Sequence, residues 1–194
     1  GFVDPHSHAD LSLYRENSTE LLEPLVRQGI TTFIGGNCGM AMAPLGKEHR
    51  DAVQTYINIF TQIDFDKEAH WQSMGDYFGC VENKGLLLNT AILAPHGVIR
   101  LNAMGMEPRQ ATEDEIAIMR RDLAQALEEG AIGLSTGLQY MPGSQSDTRE
   151  LLALGEELRK SDGIFTSHLR SYSNTLGRAM DEVIEVGEKC GVRA

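Results

Sequence analysis

The chain lacks any run of eighteen consecutive apolar residues. Its longest apolar stretch, from Gly85 to Pro95, is interrupted by Asn89 and Thr90 and is too short to cross a bilayer. Basic side chains are scarce: 17 lysines and arginines stand against 28 aspartates and glutamates, a net charge of −11, so the footprint expected of a nucleic-acid partner is missing. The acidic groups gather on helix-like surfaces such as Glu113, Asp114, Glu115 and Glu182, Glu185, Glu188, which reads as a solvated face and says nothing about substrate. Cysteine is sparse as well. Cys38, Cys80 and Cys190 are odd in number and widely spaced, no basis for a disulfide framework, and a reducing, cytoplasmic setting is expected. Neither a P-loop nor a G-x-G-x-x-G opens any helix-like segment, which argues against a nucleotide-binding sheet. The opening Gly1-Phe2-Val3-Asp4 has neither an initiator Met nor a signal-peptide pattern, and further residues upstream are expected.

What is present is a repeated junction. Helix-like stretches end near a glycine and an apolar run follows at once, at Gly29-Ile30, Gly85-Leu86, Gly130-Ala131, Gly163-Ile164 and Gly191-Val192. A glycine just past a helix accepts the left-handed conformation that ends it, and an apolar run directly afterwards reads as a buried parallel strand. Strands are expected at 1–8, 30–36, 86–95, 131–136 and 164–168, with another starting at Val192. Helices are expected near 18–28, 113–129, 148–161 and 174–189. A helical insertion spans about 40–83, with helices from Asp51 to Phe60 and Lys67 to Phe78. Thr112 with Glu115 has capping-box spacing; Asn17 with Glu20 and Asp147 with Glu150 come close to it. Ile116, Met119, Leu123 and Leu127 form one apolar stripe, and Leu176, Met180, Val183, Ile184 and Val186 a second. The fold class is therefore α/β with repeated βα units, either a closed barrel or an open doubly wound sheet, and periodicity alone does not choose.

Chemistry bears on that choice. In Asp4-Pro5-His6-Ser7-His8, two imidazoles two residues apart on a strand would face the same side, roughly 6.6–7 Å apart, and could converge on one ion beyond the strand end. Gly35-Gly36-Asn37-Cys38-Gly39 follows the next strand, and a cysteine there is either a buried inert thiol or a thiolate ligand. His168, in Thr166-Ser167-His168-Leu169-Arg170, sits at the end of the fifth strand. The set His6, His8, Cys38 and His168 thus comes from three strand ends. The fourth strand contains no lysine that carboxylation could turn into a bridging anion, a role a Cys38 thiolate would fill.

These segments, with Pro95-His96-Gly97, Arg100, Met104-Gly105 and Gly130 to Tyr140, resemble the N-acyl-D-amino-acid deacylases (D-aminoacylases) of the amidohydrolase superfamily along the whole chain. The resemblance implies a partial (β/α)8 barrel of about the first five to six units. It implies one or two zinc ions on His6, His8, Cys38 and His168, and hydrolysis of N-acyl-D-amino acids to a D-amino acid and a carboxylate. It implies that Tyr140 contacts the acyl or scissile-carbonyl region. His96 either faces the pocket or is a satisfied core histidine, and Arg170 either attracts the substrate carboxylate or pairs with a local acid. The family's general-base aspartate on strand eight, its zinc histidine on strand six and its accessory β domain have no counterpart before Ala194. The chain is therefore expected to be a piece of a longer enzyme, inactive alone; half of an assembly that shares strands between chains; or a naturally shortened protein. Unpaired strand edges would promote self-association, and a monodisperse monomer in light scattering would contradict that. The rival readings are a dihydroorotase-like or hydantoinase-like hydrolase of cyclic amides, a non-catalytic metal-binding piece, and a phosphoesterase, which would need more carboxylate ligands.

Overall fold

The structure, a computed structural model, describes residues 1–194. Its strands are β1 (Phe2–Asp4), β2 (Ile30–Gly35), β3 (Asn89–Ile92), β4 (Ala94–Pro95), β5 (Gly133–Gly137) and β6 (Ile164–His168). Every pairing is parallel, in the order β1-β2-β3 and β4-β5-β6. β3 and β4 are two halves of one strand broken at Leu93. The Leu93 N–H still donates to the Gly35 carbonyl, and the Ile132 N–H to that of Ile92, so strand order follows chain order throughout. A parallel bridge between Ile164 and Arg193 adds the start of one more strand, where Val192 was expected to begin it. Parallel neighbours need crossovers that pack on the sheet, and the helices supply them.

The helices are α1 (Ser18–Arg27), α2 (Arg50–Ile57), α3 (Phe65–Glu68), α4 (Met74–Lys84), α5 (His96–Met104), α6 (Glu113–Glu128), α7 (Thr148–Lys160) and α8 (Leu176–Cys190). α6 begins where its capping box directs. The Thr112 hydroxyl accepts the Glu115 N–H, and the Glu115 carboxylate accepts the Thr112 N–H at 2.8 Å. The helix buries Ile116, Met119, Leu123 and Ala126, each large side chain contributing about 1.5–3 kcal/mol by leaving water. Asp147 caps α7 through the Glu150 N–H, whereas Asn17 precedes α1 without a side-chain bond. One continuous cluster of 40 buried apolar residues runs from Leu11 to Cys190, so sheet and helices share a core.

Several expectations need correction. The first strand ends at Asp4 rather than residue 8, because the chain bends at Pro5-His6 and enters a 3-10 turn at Ala9–Ser12. The helix expected over 67–78 is two helices. The Ser73 hydroxyl and the Asp76 carboxylate form a capping box that starts α4 afresh. α5 was not foreseen: it is buried on almost every side and so carries no polar–apolar period. On α8, Leu176, Met180 and Ile184 lie 37–50% exposed, and the buried face is Ala179, Val186 and Cys190.

Candidate metal centre

The ends of β1 and β2 carry the site. Past β1, the His6 N–H donates to the Asp4 carboxylate at 3.1 Å and the Ser7 N–H to the Ile34 carbonyl at 3.0 Å, pinning the H-x-H loop to β2. Past β2, residues 36–39 make a tight turn. Cys38 adopts φ 57°, ψ 25°, a left-handed conformation that costs a non-glycine residue about 1–2 kcal/mol. Gly36, also left-handed at φ 72°, leaves no room for a Cβ against the Leu93 backbone. The Asn37 side-chain amide donates to the Ile34 carbonyl (2.8 Å) and the Ser7 carbonyl (3.3 Å), joining the two loops.

His6, His8 and Cys38 come together. One donor atom from each lies within 4.8 Å of the others, and Cys38 Sγ is 3.3 Å from His6 Nε2. At a tetrahedral centre, bonds of about 2.0 Å (Zn–N) and 2.3 Å (Zn–S) place donors about 3.3–3.5 Å apart, a spacing Cys38 Sγ and His6 Nε2 already meet, so the set closes on one ion with shifts of about an ångström in the wider pairs. The donor types suit zinc, and His8 Nδ1 is buried without a protein partner. The donor set fits the metal. The His6 and His8 rings meet edge to face at 5.7 Å, and the His8 ring stacks on the exposed Phe60 at 5.3 Å, geometry created by the loop rather than by strand alternation.

Burial pushes the His8 pKa down, helped by the charges of His6 and then His168. Burial also raises the Cys38 thiol, with a smaller opposing effect from Tyr140. Beneath the loop lies Asp10, fully buried, with neither carboxylate oxygen hydrogen-bonded; burial raises it to about 7, partly offset by the nearby Gly36 backbone. Asp10 was not singled out in the sequence. Its one signal was its place two residues beyond H-x-H.

His168 stands at the end of β6 but outside the three converging donors. Its Nε2 is 2.8 Å from Gln139 Oε1, and its ring meets Tyr140 and Tyr172 edge-on at 5.1 and 5.3 Å. Its pKa is lowered by burial and then by His6, whose charge acts across the gap. Tyr140 donates to the Cys38 carbonyl at 2.7 Å. Arg170 is held by Glu182 (3.0 Å) and by the Ser144 and Ser146 carbonyls. His96 is fully buried, with Nε2 2.7 Å from Glu150, which also accepts from Arg100 Nε at 3.1 Å.

No family model matches the chain. The N-acyl-D-glutamate deacylase of Alcaligenes xylosoxydans xylosoxydans is 35% identical over 191 residues, 98% of this chain and 37% of that protein. A crystal structure of D-aminoacylase, described as defining a novel subset of amidohydrolases, superposes with a TM-score of 0.81 at 28% identity, over 99% of this chain and 39% of its own. The chain belongs to the D-aminoacylase family of amidohydrolases. Another structure with which this D-aminoacylase-family chain aligns is the N-acyl-D-glutamate deacylase of Bordetella bronchiseptica complexed with zinc and a phosphonate mimic of the tetrahedral intermediate. There the TM-score is 0.80 at 30% identity, over 99% of this chain and 38% of that one. The chain spans about two fifths of the length of the relatives it matches.

Proposed function

We propose that this chain forms the front of a zinc-dependent deacylase that hydrolyses N-acyl-D-amino acids to a D-amino acid and a carboxylate. The observation that carries the reading is the convergence of His6, His8 and Cys38 within 4.8 Å at two adjacent strand ends. In this reading the parallel βα units are the first part of a (β/α)8 barrel, with chemistry at the C-terminal strand ends. The remaining strands, another zinc histidine and a general-base aspartate come from polypeptide outside these 194 residues, which fits the two-fifths coverage of the deacylase relatives.

When bound, zinc would act as a Lewis acid on the amide carbonyl and acidify a coordinated water. His6, His8 and Cys38 would hold one ion. His168, once it leaves Gln139, would join Cys38 in holding a further ion. Tyr140, whose hydroxyl lies beside the Cys38 carbonyl, would orient the substrate's acyl group next to the metal. Arg170 already has a carboxylate partner in Glu182, and it would meet a substrate carboxylate only by exchanging that partner. His96, sealed against Glu150, would support the site from beneath. Three free cysteines fit a reducing, cytoplasmic setting. No helix is long and apolar enough to cross a membrane. Phe2 and Val3, 72% and 59% exposed on the outer strand β1, favour self-association of this chain when alone.

The test is hydrolysis of N-acetyl-D-methionine by the complete polypeptide carrying this chain, with dihydroorotate as competitor class. Release of D-methionine that chelation abolishes and zinc restores is the expected result. Turnover of dihydroorotate alone moves the activity to cyclic amides, and bound zinc with no turnover of either leaves a metal-binding protein.

A further inference from the structure

The left-handed backbone at Cys38 persists only if its surroundings enforce it. Tyr140 and Tyr56 donate to the Cys38 and Gly39 carbonyls, and one side chain on another strand bonds both ends of the turn. Ser135, on β5 and fully buried, accepts the Gly39 N–H at 2.9 Å and donates its hydroxyl to the Gly36 carbonyl. Gly36 and Gly39 flank Asn37-Cys38, so this single oxygen spans the turn and fixes the distance between its ends. The backbone is also packed closely on both sides: a Cβ at Gly39 would meet the Gly97 and Gly137 nitrogens at 3.0 and 3.1 Å. Remove the hydroxyl and a buried carbonyl and a buried N–H lose their partner together, while the left-handed residue between them keeps its intrinsic cost.

We propose that Ser135 is a positioning residue for the Cys38 thiolate, holding the 36–39 turn so that Sγ faces His6 and His8 at the spacing a divalent metal requires. This rests on the metal reading above and goes beyond it, because Ser135 touches neither metal nor substrate and acts through backbone ninety-six or more residues away. Groups that orient metal ligands typically change affinity by about 10–100-fold when removed. Simple core glue would lower stability instead and leave affinity alone.

The experiment uses the complete polypeptide as wild type, Ser135→Ala, Ser135→Thr and Ser146→Ala. The last deletes another buried hydroxyl, one that closes the turn at Gly143 rather than the one at Cys38. Three quantities are read: zinc affinity by competition with a chromophoric chelator, the thiolate-to-cobalt charge-transfer absorption of the cobalt-loaded protein, and thermal unfolding of the metal-free protein. Ser135→Ala is expected to bind zinc about 10–100-fold more weakly and to lose or shift the cobalt band. Ser146→Ala should melt lower yet bind zinc as wild type does, and Ser135→Thr, which keeps the hydroxyl, should recover most of the affinity. Wild-type zinc affinity and an unchanged cobalt band in Ser135→Ala would overturn the proposal while leaving the metal centre standing. If Ser135→Ala does not fold, Ser135→Thr decides: affinity within about threefold of wild type supports the role, and a folded, hydroxyl-bearing variant that has lost more than about tenfold contradicts it. A wild type that binds no zinc would overturn both this proposal and the metal reading beneath it.

Discussion

Two histidine clusters in this molecule have similar ingredients and opposite fates. At the ends of β1 and β2, His6, His8 and Cys38 converge with a buried ring nitrogen of His8 that no protein group satisfies. Between α5 and α7, His96, Arg100 and Glu150 are fully buried and joined through the Glu150 carboxylate, with His96 Nδ1 and Arg100 Nη1 left without a partner. Arg100 also donates to the Arg109 carbonyl at 2.7 Å, tying the loop before α6 to this ion pair. The difference lies in the group each ring faces. A histidine facing a carboxylate in a sealed core is structural cement, whereas one facing another histidine and a thiol at a strand end is free for a ligand.

The comparison is most severely tested at Glu150. Glu150→Ala leaves the Arg100 guanidinium buried without a counter-charge, which should destabilise the protein by about 3–5 kcal/mol, measured by urea unfolding. The folded protein should still bind zinc within about threefold of wild type. Loss of metal binding would mean the two clusters are coupled.

Cys38→Gly asks the reverse question and has the next largest effect. Glycine accepts φ 57° without strain, so metal-free stability should change by less than about 1 kcal/mol. Zinc affinity should fall by at least about 100-fold, or about 2.7 kcal/mol, in chelator competition. Equal losses of stability and affinity would make Cys38 another core residue.

The smallest effect lies at a site belonging to neither cluster. Glu115 at the start of α6 is lowered to about 2, chiefly by its bond to Arg109, with burial opposing and the Thr112 cap adding to the drop. A depressed carboxylate stabilises the fold above its ordinary value near 4.5, and that contribution disappears as pH falls towards 2. Glu115→Ala should therefore cost about 1 kcal/mol at neutral pH and less near pH 2, seen by circular dichroism. An equal cost at both pH values would remove the capping box from the account.

Much of the fold could be read in advance because it is governed locally. Thr112 and Glu115 start α6, and the glycines at 29, 130, 163 and 191 separate helices from strands within a residue or two of expectation. The misses have long-range causes. α5 hides because it is buried nearly all round, and α4 was misplaced because its cap pairs Ser73 with Asp76 rather than the usual glutamate. Residues 5–8 look extended in sequence, but the anchoring of Ser7 to Ile34 sets their path. For the candidate site, the donors themselves were visible as H-x-H and Asn-Cys-Gly. Invisible were the hydroxyl of Ser135, the stacking of Phe60 on His8 and the Gln139 that occupies His168, because each depends on residues distant in the chain, whereas pairing of Arg170 with an acid was one of the two readings left open.

The most direct test of the central claim is X-ray absorption at the zinc edge of the zinc-loaded protein. The account predicts one sulfur neighbour at about 2.3 Å together with nitrogen neighbours at about 2.0–2.1 Å, the sulfur disappearing in Cys38→Ser. A zinc shell containing only nitrogen and oxygen in the wild type, or a sulfur that survives the substitution, would contradict it.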